Sequence, residues 1–435
     1  MSSTDLLVWR PEEAVMTSRC PVCGAVGDKR HLLDMNTPVA PVRLLHFLKC
    51  SECGCGYVDN FQYPDYHGYQ ITGEALRFYV EQGAGMDILC RPAHLGHRLG
   101  VRNYLEIGCG FGFGVDFAKR AYGMNARGID PAPQALRGRD ALGIDIISDY
   151  LTSESVQTLG QQDMIVAMEV IEHITEPQPL LRLIKDNLTP RGIVVMSTPN
   201  VAALADRESQ MLLPILSPGF HSILFSADAL KAEFLKAGFG YAAVQEDQHS
   251  LLVVATVDGT SIAADLEYPH KAFADYTTKR MTTIGDDNSL WSGYAYRNFK
   301  TLINLGSYAE AEAALPALRD EYERRFEVDI GDPGLFAARF EIETDRWRKR
   351  GQMSDWGTDV PFHICNLFYF IGILRMNTKG DDAAFDYFHA AVKVAEARMA
   401  YYRAGGYGDG ETEALARQSY KYLARCALAR AREPA

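Results

Sequence analysis

"YLEIGCGFGFGVDFA", residues 104–118, decides the fold of this 435-residue chain. It starts as a short apolar strand, crosses glycines at 108, 110, 112 and 114, and ends in helix-forming residues. A glycine-rich turn from strand to helix lets the backbone approach a ligand closely and admits positive φ. The nicotinamide fingerprint G-x-G-x-x-G is not met. Counted from Gly108 its third glycine falls on Phe113, and counted from Gly110 it falls on Val115. The sequence also lacks G-x-x-x-x-G-K-[ST], so the turn is not a P-loop.

Strand and helix signals alternate outward from this turn. "NARGID" reads as a second strand, "IDIISDY" as a third, "DMIVAM" as a fourth and "IVVMSTP" as a fifth. "PLLRLIKDNLTPRG" reads as a helix ending at Pro190 and Gly192. "SADALKAEFLKAGF" reads as another, with Ser226 as N-cap and Gly238 as its stop. "YAAVQED" and "SLLVVATV" close the block as two strands. The alternation predicts an α/β doubly wound sheet over 101–258. Such sheets bind ligands at the carboxyl ends of their strands.

Three carboxylates fall at those ends. Glu106 lies two residues before Gly108, where it suits a hydrogen-bond-donating ligand better than a diphosphate. Asp130 ends the second strand, where a carboxylate can accept from two ribose hydroxyls. Asp149 ends the third, within reach of an adenine amine. Glycine turn, ribose carboxylate and base carboxylate describe a nucleoside site without phosphates, which points to S-adenosylmethionine.

The set "YLEIGCGFGFGVDFA", "GIDPAP", "EVIEHI", "LTPRGIVVMSTPN" and "FHSILFSADALKAEFLKAGF" resembles the class I S-adenosylmethionine-dependent methyltransferases. More narrowly, it resembles the branch with an E-x-x-E-H signature after strand four. The resemblance covers about 101–258. It implies a seven-stranded sheet whose last two strands form an antiparallel hairpin. It also implies that Gly108, Gly110 and Gly112 cradle the methionine part of the cofactor, that Asp130 holds the ribose, and that Asp149 and Tyr150 sit near adenine. Glu169 would lie beside the cofactor at the end of strand four.

"AMEVIEHITEP", 167–177, then carries the chemistry. By the resemblance, Glu169, Glu172 and His173, joined by His221 from "SPGFHSILFS", form a candidate site for Mg²⁺, Mn²⁺ or Fe²⁺. Such an ion would orient a diol and acidify a hydroxyl. The competing reading has no metal. There His173 or His221 is the general base, with Glu172 orienting it. A third reading gives both histidines purely structural roles.

Nine cysteines are unevenly spread, with Cys20, Cys23, Cys50, Cys53 and Cys55 in the first 55 residues. The paired C-x-x-C spacings predict a structural Zn²⁺ on Cys20, Cys23, Cys50 and Cys53, against a bland reading of buried free thiols. Cys55 is a spare or an alternative ligand. This block resembles the zinc-ribbon segments preceding some bacterial sugar and natural-product methyltransferases.

The domain reading is therefore a zinc ribbon over 1–65, a helical bridge over 66–100, the cofactor-binding domain over 101–258 and a mostly helical domain over 259–435. In the bridge, His94 and His97 read as a packed pair. In the helical domain, "CNLFYFIGIL" reads as a buried core helix. Trp347 and Trp356 read as ordinary packing, with sugar stacking as the rival. This domain is also where a homodimer could form.

Net charge is −12, without a basic stripe, which counts against nucleic acid. No apolar run reaches membrane-spanning length and the N-terminus does not read as a secretory leader, so the chain is expected in the cytoplasm. The expected partner is a small-molecule or glycan acceptor, and the expected activity is O-methylation of a sugar or glycan hydroxyl. Rival readings are a sugar C-methyltransferase, a metal-dependent methyltransferase of RNA or a small molecule, and an inactive interaction protein.

Overall fold

The computed structural model describes residues 6–37, 41–68, 73–81, 85–209, 211–284, 288–338, 363–404 and 410–431. Trp347, Trp356 and the glycine-rich 405–409 lie outside the described residues. The chain forms two compact units. One comprises 1–70 with 86–268, and the other comprises 71–85 with 269–435. The bridge is thus divided. Its helix Gly73–Glu81 belongs to the second unit, and Met86–Arg98 belongs to the first.

The first unit opens with a small antiparallel sheet. Its strands are β1 (Leu7–Trp9), β2 (Val15–Arg19), β3 (Val26–Asn36), β4 (Leu44–Lys49) and β5 (Gly56–Val58). β1 and β2 both pair with β3, and β4 and β5 follow it in order. The cysteine pairs sit in the turns before β3 and β5. Each turn is built alike. The Gly24 amide donates to Cys20 O and the Gly54 amide to Cys50 O, both at 3.0 Å. Both glycines have φ near +75° to +78°, a conformation that a Cβ would strain.

The second sheet comprises β6 (Asn103–Ile107), β7 (Asn125–Ile129), β8 (Asp145–Ile147), β9 (Gln162–Met168) and β10 (Leu188–Pro199). A two-residue strand, β11 (Ile223–Leu224), then leaves it to join the small sheet beside β5. β12 (Tyr241–Glu246) and β13 (Ser250–Thr256) return. The order is β12-β13-β10-β9-β6-β7-β8, seven strands, with β12 and β13 antiparallel. Helices Phe113–Tyr122, Pro133–Leu142, Pro177–Asp186 and Ala227–Lys236 join or flank these strands. Ser226 caps the last of them, its Oγ accepting from the Ala229 amide at 3.3 Å.

One boundary differs from the sequence expectation. The helix ends at Asp186, not at Pro190 and Gly192, and β10 already begins at Leu188. Pro190 is tolerated because the register of β10 on β9 breaks between Leu188 and Ile193. A residue without an amide hydrogen costs no ladder bond at such an irregularity.

The second unit is helical over its described residues. His270–Met281, Asn288–Asn304, Tyr308–Phe326, Ile364–Lys379, Asp381–Ala404 and Gly410–Arg430 are its long helices. Asn288–Asn304 and Tyr308–Phe326 are separated by a short turn at Gly306, whose φ is +71°. Ile364–Lys379 is the core helix, with Ile364, Leu367, Phe368, Ile371 and Leu374 all fully buried. Among the described residues no helix is long and apolar enough to cross a membrane.

The glycine turn after β6 is clamped by the helix Pro133–Leu142. A Cβ on Gly138 would fall 1.9 Å from Phe111 O, so the helix cannot hold its place with any larger residue there. Gly138→Ala should therefore lower the urea unfolding free energy by about 1–3 kcal/mol. An unchanged denaturation midpoint would show that helix and turn are not in contact.

Candidate active site

Gly108, Gly110 and Gly112 all have positive φ, at 66°, 54° and 89°. The space around them is also reserved. A Cβ at Gly108 would meet Val170 Cγ2 at 2.6 Å, and one at Gly112 would meet Ile144 Cδ1 at 2.5 Å. Asp130, at the end of β7, fastens this turn. Its Oδ2 accepts from the Gly110 amide and its Oδ1 from the Ala132 amide, each at 2.8 Å. Each oxygen keeps a second lone pair for a ligand hydroxyl. Burial raises the Asp130 pKa, and the two amide bonds oppose that rise. Asp149 and Tyr150 follow β8 and are exposed at the same edge, with Asp149 Oδ1 accepting from the Tyr150 amide at 2.7 Å.

Glu106 lies deeper than its sequence position suggests. It is 1% exposed, and its carboxylate lies where a Cβ on Gly114 would be, 2.2 Å from Oε2. Tyr104 donates its hydroxyl to Oε2 at 3.4 Å. Burial pushes the carboxyl up to about 8, so near neutral pH it is largely protonated. Glu106 therefore lies beneath the turn and supports it from within the core.

At the end of β9 the chain turns sharply. Glu169 adopts φ 56°, unusual for a residue with a side chain, and such strain clusters at functional sites. Its amide donates to Ser197 O at 3.1 Å, and Ser197 donates its hydroxyl to Glu169 Oε1 at 2.6 Å. The turn then presents Ile171–His173 as one 3₁₀ turn. Glu172 is fully buried and its Oε2 accepts from Thr198 Oγ1 at 3.1 Å. Among the described residues its Oε1 has no hydrogen-bond partner. His173 Nε2 lies 3.8 Å from that oxygen and His221 Nε2 lies 3.9 Å from it.

The tautomers follow from the other ring nitrogens. His221 Nδ1 meets Ile215 O at 2.7 Å and His173 Nδ1 meets Phe220 O at 3.0 Å. A carbonyl oxygen only accepts, so each Nδ1 carries the hydrogen and each Nε2 presents a lone pair. Two imidazole lone pairs and the Glu172 Oε1 atom thus face one another. Burial raises Glu172 well above the usual carboxylate range, with the Glu169 charge adding to the effect. It lowers His173, and with the His173 charge it lowers His221 to about 3.

The four expected zinc ligands also come together. Cys20 and Cys53 sulfurs are 3.7 Å apart and those of Cys23 and Cys50 are 3.6 Å apart. All four lie within 4.8 Å of one another. Cys55 Sγ lies 4.0 Å from Ser226 Oγ and is not among the four that converge.

Of the sequence candidates, Glu172, His173 and His221 form one cluster, while Glu169 turns to Ser197 and stays outside it. His94 bonds Tyr122 OH through Nδ1 at 2.8 Å and His97 stacks on the same ring, so that pair is packing. Several site residues carried no sequence signal. Ser197 and Thr198 hold the two glutamates, and Ser222 donates its amide (2.7 Å) and hydroxyl (2.9 Å) to the Glu172 carbonyl. Tyr66 meets His173 Nδ1 at 2.9 Å. His31, Asp34 and His46 form a further cluster in the small sheet. There Asp34 accepts from both imidazoles and from Arg10, which leaves the carboxylate already compensated.

A family model described as a methyltransferase domain matches residues 83–244. The chain is similar to the ubiquinone biosynthesis O-methyltransferase of Azorhizobium caulinodans, 32% identical over 178 residues, covering 37% of this chain and 69% of that protein. It is 33% identical over 126 residues to the protein of the same name from Dinoroseobacter shibae, covering 27% of this chain and 50% of that one. Among solved structures it is similar to an O-methyltransferase family protein from Burkholderia thailandensis, at 12% identity and TM-score 0.36, covering 44% of this chain and 62% of that one. The helical unit from 269 onward lies beyond the family match.

Glu106 gives a pH test of the buried turn. Its folded pKa lies above the unfolded value, so its contribution is fully present below about pH 4.5 and is lost as pH rises towards 8. Glu106→Gln should remove this dependence. Urea unfolding at pH 5 and pH 8 should show a decline in the wild type larger than in the variant, by on the order of a few kcal/mol. Parallel profiles would mean that Glu106 is ionised and solvated.

Proposed function

The chain belongs to the S-adenosylmethionine-dependent methyltransferases, and from that membership we propose that it methylates one hydroxyl of a vicinal diol at the Glu172–His173–His221 cluster. The observation that carries this reading is the Glu172 Oε1 atom, buried without a hydrogen-bond partner among the described residues and flanked by two Nε2 atoms at 3.8 and 3.9 Å. Two Nε2 lone pairs facing a buried glutamate call for either a proton held on Glu172 or a cation between the three groups. Two imidazoles and a carboxylate fit Mn²⁺ or Fe²⁺ better than Mg²⁺, which favours an oxygen-rich shell. A divalent ion held there would acidify the acceptor hydroxyl.

A metal-free histidine base is less well supported. An imidazole lowered to about 3, like His221, is a poor proton acceptor near neutral pH but a good neutral ligand. The backbone carbonyls behind both rings hold the ligand tautomer, as outer partners of metal-bound histidines do.

Bound S-adenosylmethionine supplies an electrophilic methyl group on a sulfonium. The protein's share is to place it. The glycine turn gives close backbone approach, Asp130 offers lone pairs to the ribose hydroxyls, and Glu169 lies at the end of β9 nearest the acceptor side. Three protein ligands leave open positions for two neighbouring oxygens, which is why a vicinal diol is proposed. A sugar or an aromatic ring can carry that diol. The names of the curated relatives support oxygen as the atom methylated. The net charge of −12 weighs against an RNA terminus.

The test is release of S-adenosylhomocysteine with three sets of acceptors (nucleotide sugars, glycans and small catechols), before and after chelation of exchangeable metal. Turnover should be lost on chelation and restored by Mn²⁺ or Fe²⁺, and the acceptor set that responds identifies the carrier of the diol. Glu172→Gln should lose turnover and Mn²⁺ affinity together, each on the order of 10–100-fold. Full turnover in chelator would sink the metal reading and return the role to a histidine base.

For the cysteine group we propose a structural Zn²⁺. A tetrahedral site with Zn–S near 2.3 Å has sulfurs roughly 3.8 Å apart, close to the 3.7 and 3.6 Å found. Purified chain should carry about one equivalent of zinc that resists mild chelation, and Cys50→Ser should abolish it and lower the thermal midpoint. Zinc content unchanged in Cys50→Ser would refute the four-cysteine assignment.

A further inference from the structure

Residues 59–68, "DNFQYPDYHG", leave the small sheet after β5 and cross to the large one. The segment is fastened at both ends. Asp59 accepts from Ser18 Oγ, and its amide donates to His46 O at 2.9 Å. Tyr63 OH lies 2.8 Å from Thr175 Oγ1 and accepts from the Thr175 amide at 2.9 Å. Pro64 is buried, and Asp65 Oδ1 closes a turn by accepting from the Gly68 amide at 3.0 Å. Tyr66 meets His173, and its ring lies edge-on to that imidazole at 6.0 Å. His67 lies edge-on to Tyr150, 5.2 Å between ring centres.

These contacts have a direction. Thr175 and His173 follow β9, whereas Tyr150 follows β8. In the sheet order β9-β6-β7-β8, the ends of β6 and β7 lie between them. Those two ends carry the glycine turn and Asp130. Three strand spacings of about 4.8 Å make roughly 14 Å. The backbone turns at Asp65–Gly68, so the crossing is made by the chain together with the side chains of Tyr63 and His67, which reach Thr175 after β9 and Tyr150 after β8. The segment therefore has the anchor points to lie over the donor pocket.

Tyr66 also keeps an unused donor. The Nδ1 hydrogen of His173 is shared by Phe220 O and the Tyr66 oxygen. The phenolic hydrogen of Tyr66 then has no acceptor among the described residues, although the ring is largely enclosed. A ligand oxygen in the pocket below would supply one.

Building on the methyl-donor reading above, we infer that residues 59–68 are a strap across the S-adenosylmethionine pocket, with Tyr66 and His67 as further cofactor-contacting residues. The donor enters and its product leaves by displacing this strap. Tyr66 contributes a hydrogen bond, and the His67–Tyr150 pair closes the base end.

The experiment uses the full chain and S-adenosylhomocysteine. Calorimetric titration would compare wild type with Tyr66→Phe, His67→Ala and the double variant. Hydrogen exchange of 59–68 in wild type would be followed with and without the ligand. The double variant should bind about tenfold more weakly, with faster release and an unchanged thermal midpoint. Bound ligand should slow exchange in 59–68 by about tenfold or more. Unchanged affinity in the double variant, with exchange that ignores the ligand, would overturn the strap. A wild-type chain that binds no S-adenosylhomocysteine would instead remove the donor reading, and the strap with it.

Discussion

The candidate site depends on one joint, the two hydrogen bonds from Ser222 to the Glu172 carbonyl. Ser222 lies between His221 and the two residues of β11. β11 pairs with β5, Ile223 opposite Tyr57 and Leu224 opposite Gly56, and the Val58 amide donates to Ser222 O at 2.9 Å. The segment 221–224 is thus held on one side by the edge of the small sheet and on the other by the turn after β9. His221 has little choice of position between these two restraints. A histidine about fifty residues from Glu172 in sequence becomes its neighbour through backbone hydrogen bonds. The pairing also covers a sheet edge that would otherwise expose unpaired amides.

The interior that results is costly. A fully buried carboxylate and two enclosed imidazoles stand among Ile171, Ile223 and Phe225, all of them buried. Transfer of such groups out of water is unfavourable unless each is paired. The fold compensates most of their atoms, with Thr198 on one glutamate oxygen and backbone carbonyls on both Nδ1 atoms. Among the described residues it leaves Glu172 Oε1 buried without a hydrogen-bond partner, facing the two Nε2 atoms. Add the left-handed backbone at Glu169, and several unfavourable terms meet within one turn. A sequence selected for stability alone would have filled this place with aliphatic side chains. On the proposed reading, these atoms are where a bound ion would supply the missing interaction.

The sequence made the large sheet legible because each of its signals is local. Period and composition mark the strands, and Gly108, Gly110 and Gly112 mark a turn that only glycine fits. The cysteine spacing was equally local. What stayed hidden is non-local. β11 is two residues long and borrows its partner from another sheet. Ser222 and Tyr66 act through hydrogen bonds to residues 50 and 107 positions away. The helix expected through Gly192 failed because a proline was taken as a stop signal, when it sits in a register break of β10. The burial of Glu106 is also non-local, since its carboxylate lies against Gly114 of the helix Phe113–Tyr122, eight residues on.

The small sheet has a larger role than a cap. Its apolar side chains, among them Leu33, Leu45 and Phe47, share one buried cluster with Val201, Leu212 and Leu216 from the segment after β10, so the sheet does not bury its own core alone. An ion on the four cysteines would add folding free energy at the end of the sheet nearest β5. The cap residue Ser226 reports this link directly, because its hydroxyl donates to Cys53 O at 2.7 Å while its oxygen accepts from Ala229. Order at the second cysteine turn therefore passes to β5, from β5 to β11, and from β11 to His221 and Glu172. The cysteines lie outside the Glu172–His173–His221 cluster, yet by this chain of bonds the cluster takes its geometry from them.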